Sequence, residues 1–290
     1  MKVYNNKYVA DAYKDILNDL YYHPEYISNP RGLEVKEILN CIIHIEEPNM
    51  NLFKNNFRST PQKYVSAELL WYFSGTTKST FIEKYASMWK SLKNEDDEVN
   101  SAYGYLLFKD YNENAITQYN WAIESLKRDK DTRQSFMHFN KPRHQLFSNK
   151  DQVCTLAAMF HIRDNKLHMT LNMRSNDVIK GFMTDFVFFN ILHQHVYLNI
   201  KQYYPEIEMG SYTHISHSMH LYSSNYELVE KMLTSSFEHE KTPDLNTLIV
   251  DENGMFFPKY NSVFYPVLFD KDLIKDNTDN DIINWALQTI

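Results

Sequence analysis

Apolar positions recur along this chain with the two periods that distinguish helices from strands. A period near 3.6 predicts helices near residues 7–20, 61–74, 79–92, 114–127, 181–203 and 222–233. Alternating or short apolar runs predict strands near residues 35–46, 134–139, 153–162, 166–174, 207–216 and 246–250. Because helices and strands do not follow a strict βαβ order, the predicted fold class is mixed α/β (α+β).

The connections between these segments are short and carry no sign of a linker. The residues "RDNK" (163–166) join two predicted strands, and Asp-Asn tolerates the positive φ of a tight hairpin. Only 6 Gly and 9 Pro are spread over the chain, which has no internal repeat. We therefore expect a single domain over residues 1–290, with the polar stretches 93–100 and 270–281 as solvated loops.

One stretch breaks the apolar pattern: "LNMRSNDVIKGFMTDFVFF" (171–189). Arg174, Ser175, Asn176 and Asp177 interrupt a strand-like run, and Asp185 lies inside an apolar helix pattern. Burying a charge is costly unless it is paired. These groups are therefore candidates for binding a ligand.

Composition narrows the function classes. Hydrophobic residues make up 43% and aromatic residues 15%, enough for a sizeable core, and the net charge of −7 argues against a non-specific nucleic-acid binder. The N-terminal residues lack the apolar segment of a signal peptide, and no apolar run approaches a membrane span. We expect a reduced, soluble, cytoplasmic protein that contacts neither a membrane nor nucleic acid directly.

The chain has two cysteines, too few for a disulfide framework or a structural zinc site. Cys41, in "LNCIIHI", is typical of a buried apolar position. Cys154 differs because arginine-bearing segments flank it on both sides, and nearby cations lower a thiol pKa and favour the nucleophilic thiolate. Cys154 is the candidate nucleophile.

Arginines near the broken strand suggest a phosphate site. Guanidinium groups pair with phosphate oxygens bidentately, and a serine adds a hydroxyl donor. Arg174 and Ser175, together with Arg133 and Arg31, are candidates for such a cage. Surface salt bridging is the alternative, and for Arg31 alone it is the better explanation.

Twelve histidines raise the question of a metal, which the sequence pattern does not favour. No HExxH or Cys-x-x-Cys pattern accompanies "HQH" (193–195) or "HISHSMH" (214–220), and i, i+2 spacing places His193 and His195 on different helix faces. The GxGxxG, P-loop and Gly-x-Ser-x-Gly patterns are absent as well. We expect no metal.

Taken together, the segments resemble the thymidylate synthase superfamily. "AELLWYFSGTTK" (67–78) is similar to its Glu-Leu-Leu-Trp-Phe helix, "AYG" (102–104) to its Tyr-Gly step, and "DTRQ" (131–134) to its Asp-Ser-Arg-Arg loop. "MRSNDVIKGFMTDFVFF" and "SMHLYSSN" (218–225) resemble its Arg-Ser-x-Asp and Thr-His-Leu-Tyr-Ser-Asn blocks. The matches follow the family's order over about residues 30–225.

Two departures from the synthases that act on dUMP bear on the substrate. Val153-Cys154-Thr155 stands where they have Pro-Cys-His, and Asp185 stands where they have Asn. Both departures resemble the phage-type deoxycytidylate hydroxymethylases, the branch that makes 5-hydroxymethyl-dCMP. A carboxylate accepts from the cytosine amino group and from a protonated N3, but it repels uracil O4. Asp185 is therefore expected to recognise cytosine.

The resemblance implies a mechanism and its residues. Cys154 would add to C6 of a pyrimidine deoxynucleoside monophosphate, with 5,10-methylenetetrahydrofolate as co-substrate and water completing a hydroxymethyl group. Glu68 would organise water and proton transfers with a raised pKa, because a carboxyl in an aromatic setting resists ionisation. Tyr103 would take part in removing the C5 proton.

The resemblance also implies binding residues. His220 and Tyr222 would hold the sugar 3′-hydroxyl, Asp177 the folate pterin, and Gly181 would allow a close approach at the helix start. The family fold is a mixed α/β domain whose large sheet packs against its copy in a homodimer. Arg133 would reach the phosphate of the other subunit, although Gln134 replaces the second arginine of that pair.

Several alternatives stay open at this stage. The same fold also serves methylation of dCMP or dUMP, and the C-terminal "NWALQTI" does not resemble the synthases' folate-closing tail. A catalytically idle homologue that binds nucleotide, RNA or a protein partner is a second alternative. A Cys–His hydrolase built on Cys154 and His161 is a third, without an oxyanion-hole pattern to support it. The sequence does not separate ribose from deoxyribose, and cytosine hydroxymethylation would suggest a phage that modifies its own DNA.

Overall fold

A mixed β-sheet organises the part of the protein that the computed structural model describes, residues 1–250 and 278–290. The strands are β1 (Lys2–Asn6), β2 (Tyr26–Ser28), β3 (Val35–Ile45), β4 (Leu52–Lys54), β5 (Phe136–His138), β6 (Thr155–Arg163), β7 (Lys166–Met173), β8 (Asn176–Asp177), β9 (Glu208–Tyr222) and β10 (Glu238–Glu240). The helices are α1 (Val9–Tyr22), α2 (Gln62–Ser74), α3 (Trp89–Leu92), α4 (Tyr103–Phe108), α5 (Gln118–Arg128), α6 (Phe182–Tyr203), α7 (Tyr226–Leu233) and α8 (Asp281–Thr289).

The main sheet has the order β1-β3-β9-β7-β6-β5, with β2 paired to β3 and β8 paired to β9. The pairs β1–β3 and β7–β9 are parallel, whereas β3–β9, β6–β7 and β5–β6 are antiparallel. β4 and β10 form a separate two-stranded sheet. The predicted mixed α/β class is confirmed.

The predicted hairpin between β6 and β7 is confirmed. Arg163 pairs with Lys166, and the two residues between them have positive φ, 49° at Asp164 and 57° at Asn165. Asp and Asn adopt this left-handed conformation more readily than other non-glycine residues. The tight turn brings the end of β6 directly into β7, which leads to Arg174.

Most predicted helices and strands occur within a few residues of their expected bounds, but two predictions are wrong. Residues 79–92 form a short 3₁₀ turn (Ile82–Lys84) and the four-residue α3, not a continuous helix. The apolar pattern there reflects burial of Phe81, Ile82 and Trp89 in turns. Residues 246–250 contain no strand within the described part of the chain. The loop expected at 270–281 lies outside the described residues up to 277, and α8 begins at its last residue.

Strand β9 is longer than its apolar pattern predicted and continues to Tyr222. The predicted helix at 222–233 accordingly begins later, at Tyr226. The extension matters because it places His220 and Tyr222 in the sheet, where backbone pairing with β3 fixes their positions.

Helix α6 lies against the sheet and is buried along most of its length. Phe186 packs against Tyr212 of β9 with ring centroids 4.8 Å apart, and His193 Nε2 donates to the Leu167 carbonyl of β7 at 2.8 Å. Its first turn carries Asp185. The helix thus fixes an acidic side chain next to the sheet.

Helices α2 and α4 meet at Gly104. A Cβ built on this glycine would lie 1.6 Å from the Tyr72 carbonyl oxygen, so only glycine permits the contact. The contact places Tyr103 beside Tyr72, with stacked rings 5.2 Å apart. Among the described residues, no helix is both long enough and apolar enough to cross a bilayer.

Candidate active site

Cys154 lies immediately before β6 and is half-buried. Arg174, just after β7, holds the backbone around it: its Nε donates to the Val153 carbonyl at 3.0 Å and its Nη2 to the Gln152 carbonyl at 2.6 Å. The same Nη2 lies 3.5 Å from the Cys154 Sγ. The arginine therefore fixes the thiol in place and sets a positive charge beside it.

The effect of these cations on the thiol differs from the sequence prediction. Burial raises the pKa of the Cys154 thiol above its usual value, and Arg174 and Arg31 lower the pKa by less than burial raises it. The prediction considered the charges but not the desolvation of the thiolate. Arg31 itself lies in the exposed turn Pro30–Gly32 with φ of 55°, close enough to affect the thiol.

Asp185 is bound by a neighbouring amide. The Asn176 Nδ2 donates to Asp185 Oδ2 at 2.8 Å. A Cβ on Gly181 would lie 3.0 Å from Asn176 Nδ2 and 3.2 Å from Asp185 Oδ2. Gly181 therefore lies in close contact with the side chains of Asn176 and Asp185.

Asp185 retains its proton to unusually high pH. Although part of the side chain is exposed, burial raises the pKa of its carboxyl to about 7. The hydrogen bond from Asn176 lowers this pKa, and the charge of Asp177 raises it further. Near neutral pH this carboxyl is thus divided between its neutral and ionised forms.

Glu68 lies on α2 in an aromatic setting, as predicted. Its Oε1 accepts from the Tyr64 hydroxyl at 2.7 Å and from the Tyr72 hydroxyl at 3.4 Å, and Trp89 Nε1 donates to the Tyr64 hydroxyl at 3.2 Å. Burial, and then the charge of Asp185, raise the pKa of Glu68 to about 8, while the two tyrosines lower it. The predicted raised pKa is confirmed.

Tyr103 connects the nucleophile to the carboxyls. Its hydroxyl accepts from the Thr155 hydroxyl at 2.9 Å. Burial raises its pKa well above the usual range, and the charges of Asp185 and Cys154 raise it further. Tyr103 is therefore a neutral phenol that lies within electrostatic reach of both groups.

Asp151 joins the loop before Cys154 to the segment before α4. Its two carboxylate oxygens accept from the Ser101 backbone amide and the Ser101 hydroxyl, both at 2.7 Å. Burial raises its pKa, while the hydrogen bonds from Ser101 oppose the rise. This contact fixes Tyr103 relative to Cys154.

Asp177, His220 and Tyr222 form a second group, on β8 and β9. The Asp177 Oδ1 accepts from the backbone amides of residues 179 and 180 at 2.8 and 3.0 Å, which fixes the carboxylate. Asp177 pairs with His220 across the strands, and the His220 and Tyr222 rings are 5.2 Å apart. Ser175 lies between Arg174 and β8, partly exposed.

Two residues are not brought to Cys154 within one chain. Arg133 lies in an exposed turn before β5, close to the far end of β6, where Arg163 Nη2 donates to the Asp131 carbonyl at 3.1 Å. Within its own chain Arg133 therefore lies away from Cys154, and its role at the phosphate stays a prediction. His161 lies seven residues along β6 from Cys154, roughly 23 Å in an extended strand. This separation excludes a direct Cys154–His161 pair.

The buried histidines of α6 have structural partners on different faces, as predicted. His193 bonds to Leu167, whereas His195 Nδ1 lies 2.8 Å from the Tyr119 hydroxyl. The His195 Nε2 accepts from the backbone amide of Ile249 at 3.0 Å. Among the described residues, no three His, Cys, Asp or Glu side chains converge as metal ligands would.

Sequence reasoning missed four residues that hold the site together: Asn176, Tyr64, Tyr72 and Asp151. Tyr64 and Tyr72 stand four residues on either side of Glu68, which places all three on one helix face, so this signal was available. The Asn176 contact was not readable, because it joins a two-residue strand to a helix through the Gly181 turn.

The sequence also has recognisable relatives. A family model described as thymidylate synthase matches residues 11–262. The deoxycytidylate 5-hydroxymethyltransferase of Enterobacteria phage T2 is 27% identical over 232 residues, 77% of this chain and 89% of that protein. The phage T4 protein of the same name is 26% identical over 230 residues, 76% of this chain and 89% of its own length. The deoxyuridylate hydroxymethyltransferase of Bacillus phage SP01 is 25% identical over 257 residues, 84% of this chain and 66% of that protein.

Proposed function

Because the chain belongs to the thymidylate synthase family, whose enzymes transfer a one-carbon unit to C5 of a pyrimidine nucleotide, we propose that it hydroxymethylates dCMP. The proposed reaction converts dCMP, 5,10-methylenetetrahydrofolate and water to 5-hydroxymethyl-dCMP and tetrahydrofolate. The observation that carries the choice of base is the Asp185 carboxyl, held by Asn176 beside the Cys154 thiol and Glu68.

Cytosine matches an aspartic acid that retains one proton. The amino group N4 donates to one carboxyl oxygen, and a single proton lies between the other oxygen and N3. A pKa of about 7 makes this proton available at neutral pH. The names of the T2 and T4 relatives support the same base.

In the proposed mechanism Cys154 loses its proton to water and its sulfur adds to C6 of the ring, which makes C5 nucleophilic. Arg174 stabilises the thiolate that forms, because its guanidinium lies beside the sulfur. Because burial raises the pKa of the thiol, Cys154 is protonated in the free enzyme. The thiolate therefore forms during the reaction.

Methylenetetrahydrofolate supplies the one-carbon unit at the oxidation level of formaldehyde. After C5 has bonded to that carbon, it loses its proton to water, with Tyr103 placed to assist. The bond between the carbon and the folate nitrogen then breaks, so that tetrahydrofolate leaves and the nucleotide carries an exocyclic methylene. Water adds its oxygen there and gives its proton to Glu68, and the electron pair returns through the ring to expel the Cys154 sulfur. Glu68 suits this role because its Oε1 is held by two tyrosines, which leaves Oε2 for water.

The remaining candidates bind substrate in this proposal. Arg174, Ser175 and Arg31 bind the phosphate, and His220 and Tyr222 bind the sugar 3′-hydroxyl. Arg174 retains guanidinium donors for this purpose, since within the described part of the chain its backbone hydrogen bonds use Nε and Nη2 and not Nη1.

The folate has a candidate anchor in Asp177. Backbone amides occupy its Oδ1, which orients the carboxylate while the second oxygen remains for an N–H donor such as that of a pterin. Gly181 follows at the start of α6. The donor set therefore fits the co-substrate.

We further propose that residues 1–290 form one catalytic domain that acts as a cytoplasmic homodimer. Arg133 supports this proposal because it lies far from Cys154 of its own chain yet is exposed. In the dimer it would bind the phosphate in the partner's site.

A second candidate is hydroxymethylation of dUMP, which the name of the SP01 relative favours. Methylation by hydride transfer is the other outcome that the family allows. Asp185 argues against uracil, and the tyrosine-bound Glu68 favours addition of water.

The test uses the purified protein with methylenetetrahydrofolate and either dCMP or dUMP, with products identified by mass spectrometry. Gain of CH₂O on dCMP is the expected result, and Cys154→Ala is the control that should abolish it. Gain of CH₂ would make the enzyme a methylating synthase, and gain of CH₂O on dUMP alone would overturn the choice of base.

A further inference from the structure

A neutral carboxylic acid does not by itself distinguish cytosine from uracil. Either oxygen can carry the proton, so the group can offer a donor to cytosine N3 and an acceptor to N4. With the proton on the other oxygen it offers an acceptor to uracil N3–H and a donor to O4. An aspartic acid that is half protonated near neutral pH therefore needs a further group to fix the position of its proton.

Asn176 is the side chain that can do so. Its Nδ2 donates to Asp185 Oδ2 at 2.8 Å, which makes Oδ2 an acceptor and disfavours a proton on that oxygen. We propose that Asn176 is a positioning residue for base selection: by occupying Oδ2 as a donor, it confines the carboxyl proton to Oδ1. This inference rests on the proposed recognition of cytosine by Asp185.

The consequence is a fixed pattern facing the base. Oδ2 has two lone pairs, so it accepts from both Asn176 and cytosine N4, while the proton at Oδ1 is shared with N3. Uracil would then place N3–H against the proton on Oδ1 and O4 against the acceptor Oδ2. Both contacts are repulsive, and a site of buried polar groups rejects a mismatched ligand strongly.

The position of Asn176 is rigidly determined. The residue is 3% exposed and pairs with Met219 in the β8–β9 ladder. A glycine at position 181 gives the amide the room it needs, because a Cβ there would lie 3.0 Å from Nδ2. Burial and the strand pairing therefore hold the amide beside Asp185.

The arrangement is unfavourable for folding, which points to a role in function. The Asn176 Oδ1 is buried and has no hydrogen-bond partner among the described residues. An unpaired buried acceptor destabilises a fold, and an apolar side chain of similar shape would avoid that cost. The interaction with Asp185 is the evident gain from an amide at this position.

Several ionisable groups around Asp185 share its pH dependence. The charge of Asp177 raises the pKa of Asp185. The charge of Asp185 in turn raises the pKa of six neighbours: Glu68, Cys154, Tyr103, Tyr64, Tyr72 and Tyr212. No lysine or arginine contributes to the pKa of Asp185 among the described residues. Within residues 1–250 and 278–290, the one hydrogen bond that opposes protonation there comes from Asn176.

The experiment compares wild type with Asn176→Leu, which keeps the approximate shape but cannot donate. The ratio of kcat/KM for dCMP to that for dUMP is measured at pH 6.5 and pH 8.5. At pH 6.5 we expect the ratio to fall by about tenfold, which is the effect of losing one hydrogen bond to an ionisable group, here that from Asn176 to Asp185. At pH 8.5 the fall should be smaller, because less Asp185 carries a proton to misplace.

A second readout separates positioning from packing. Loss of the donor removes the one hydrogen bond that lowers the pKa of Asp185, so the alkaline limb of kcat/KM for dCMP should move up by about one pH unit. Asn176→Ala introduces a small side chain that cannot clash with its neighbours. It should show the same shift of the alkaline limb and the same loss of base selection. The control is Asn199→Leu, at a buried asparagine of α6, the helix that carries Asp185. Its Nδ2 bonds to the Tyr119 hydroxyl at 3.4 Å, and the variant should change neither readout.

The outcomes distinguish this inference from the proposed function. If wild type itself prefers dUMP, the recognition of cytosine fails first. If wild type prefers dCMP and both Asn176 variants keep the full ratio and the same alkaline limb, Asp185 selects the base without Asn176, and the positioning role is overturned.

Discussion

At the scale of single residues, the site contains carboxyls that keep their protons near neutral pH. Glu68 and Asp185 both have raised pKa values, about 8 and about 7, and the charge of Asp185 adds to the cost of ionising Glu68. Burial is the main cause in both cases, and hydrogen-bond donors oppose it. The donors therefore set how far each carboxyl departs from its ordinary behaviour.

Replacement of Asp185 by Asn should reverse the choice of base. An amide offers a fixed acceptor and donor that complement uracil N3–H and O4, and it needs no proton. We expect Asp185→Asn to lose at least about 10²-fold in kcat/KM on dCMP and to gain activity on dUMP. Parallel assays on the two nucleotides measure this, and an unchanged ratio would contradict the role of Asp185.

Removal of the tyrosine hydroxyl at 2.7 Å from Glu68 should shift the acid limb of the reaction. Tyr64→Phe removes a hydrogen bond that lowers the pKa of Glu68, so that pKa rises and the carboxylate needed as a base forms at higher pH. We expect the acid limb of kcat to move up by about one pH unit.

The matched control is Tyr226→Phe, whose hydroxyl bonds to Glu34 at 3.3 Å at the surface. This variant should leave the pH profile unchanged. Tyr72→Phe removes the longer, 3.4 Å contact and should shift the limb less than Tyr64→Phe. A profile that is the same in Tyr64→Phe and wild type would exclude Glu68 as the titrating base.

At the scale of elements, the site depends on how closely helices approach one another. The contact of α4 on α2 allows no Cβ at Gly104, while Gly32, in the exposed turn near Arg31, has nothing within 4 Å of a built Cβ. The two glycines therefore serve different purposes, close packing in one case and a positive φ of 77° in the other.

Substitution of these glycines should separate the two purposes. Gly104→Ala forces α4 away from α2, and we expect a loss of roughly 3 kcal/mol or more in the free energy of unfolding. Gly32→Ala meets only backbone strain and should cost about 1 kcal/mol. Urea unfolding measures both, and equal losses would contradict the packing explanation.

Sequence patterns predicted the long elements better than the short ones. The helices α1, α2 and α6 and the strands β3, β6 and β7 are long enough to carry several periods of apolar residues. The strands β2, β4, β8 and β10 have two or three residues, too few for a period. β2 and β8 form beside the longer β3 and β9, which offer them hydrogen bonds, whereas β4 and β10 pair with each other. Residues 79–92 show the converse error, since burial there has helical spacing without a helix.

The same limit applies to the site. Arg174, Asp177 and Asp185 stood out as polar residues within apolar segments, so the sequence indicated them. Whether Cys154 carries a raised or lowered pKa was not readable, because the effect of burial and that of charge have opposite signs and only coordinates give their sizes. Contacts between distant segments, such as Asp151 with Ser101, left no pattern either.

At the scale of the whole molecule, stability should depend on pH through two opposing sets of buried groups. His193, His195 and His214 are held neutral by burial, with pKa values of about 4, 3 and 3. Below about pH 6.5 these histidines bind protons in the unfolded chain but stay neutral in the folded chain. The free energy of unfolding therefore falls as pH falls. Glu68 and Asp185 act in the opposite sense, because the folded chain holds their protons up to about pH 7–8.

The balance predicts a stability maximum near pH 6–7. Between about pH 6 and pH 5 three histidines outweigh two carboxyls, a net loss of about 1 kcal/mol in the free energy of unfolding. Between about pH 7 and pH 8 the two carboxyls reduce stability as pH rises. Tm measured across pH 5–8 tests this, and the double variant Glu68→Gln, Asp185→Asn should lose the decline above pH 7 while keeping the acid one.

A mixed dimer tests whether Arg133 acts across the proposed interface. Cys154→Ser and Arg133→Ala should each be poorly active alone, but a hybrid would contain one site with both Cys154 and Arg133 intact. Random exchange of subunits at equal amounts should restore about a quarter of the sites. No recovery on mixing would place Arg133 outside the partner's site, and Gln134→Ala serves as the neighbouring control.

The Asp185 side chain has a consequence beyond chemistry. Aspartate and asparagine codons differ only at their first nucleotide, so one transition in the gene exchanges the carboxyl for the amide. A lineage with this enzyme would therefore lie a single point mutation from the opposite nucleotide preference. Selection on the modified product, rather than the difficulty of the genetic step, would have to maintain the carboxyl at this position.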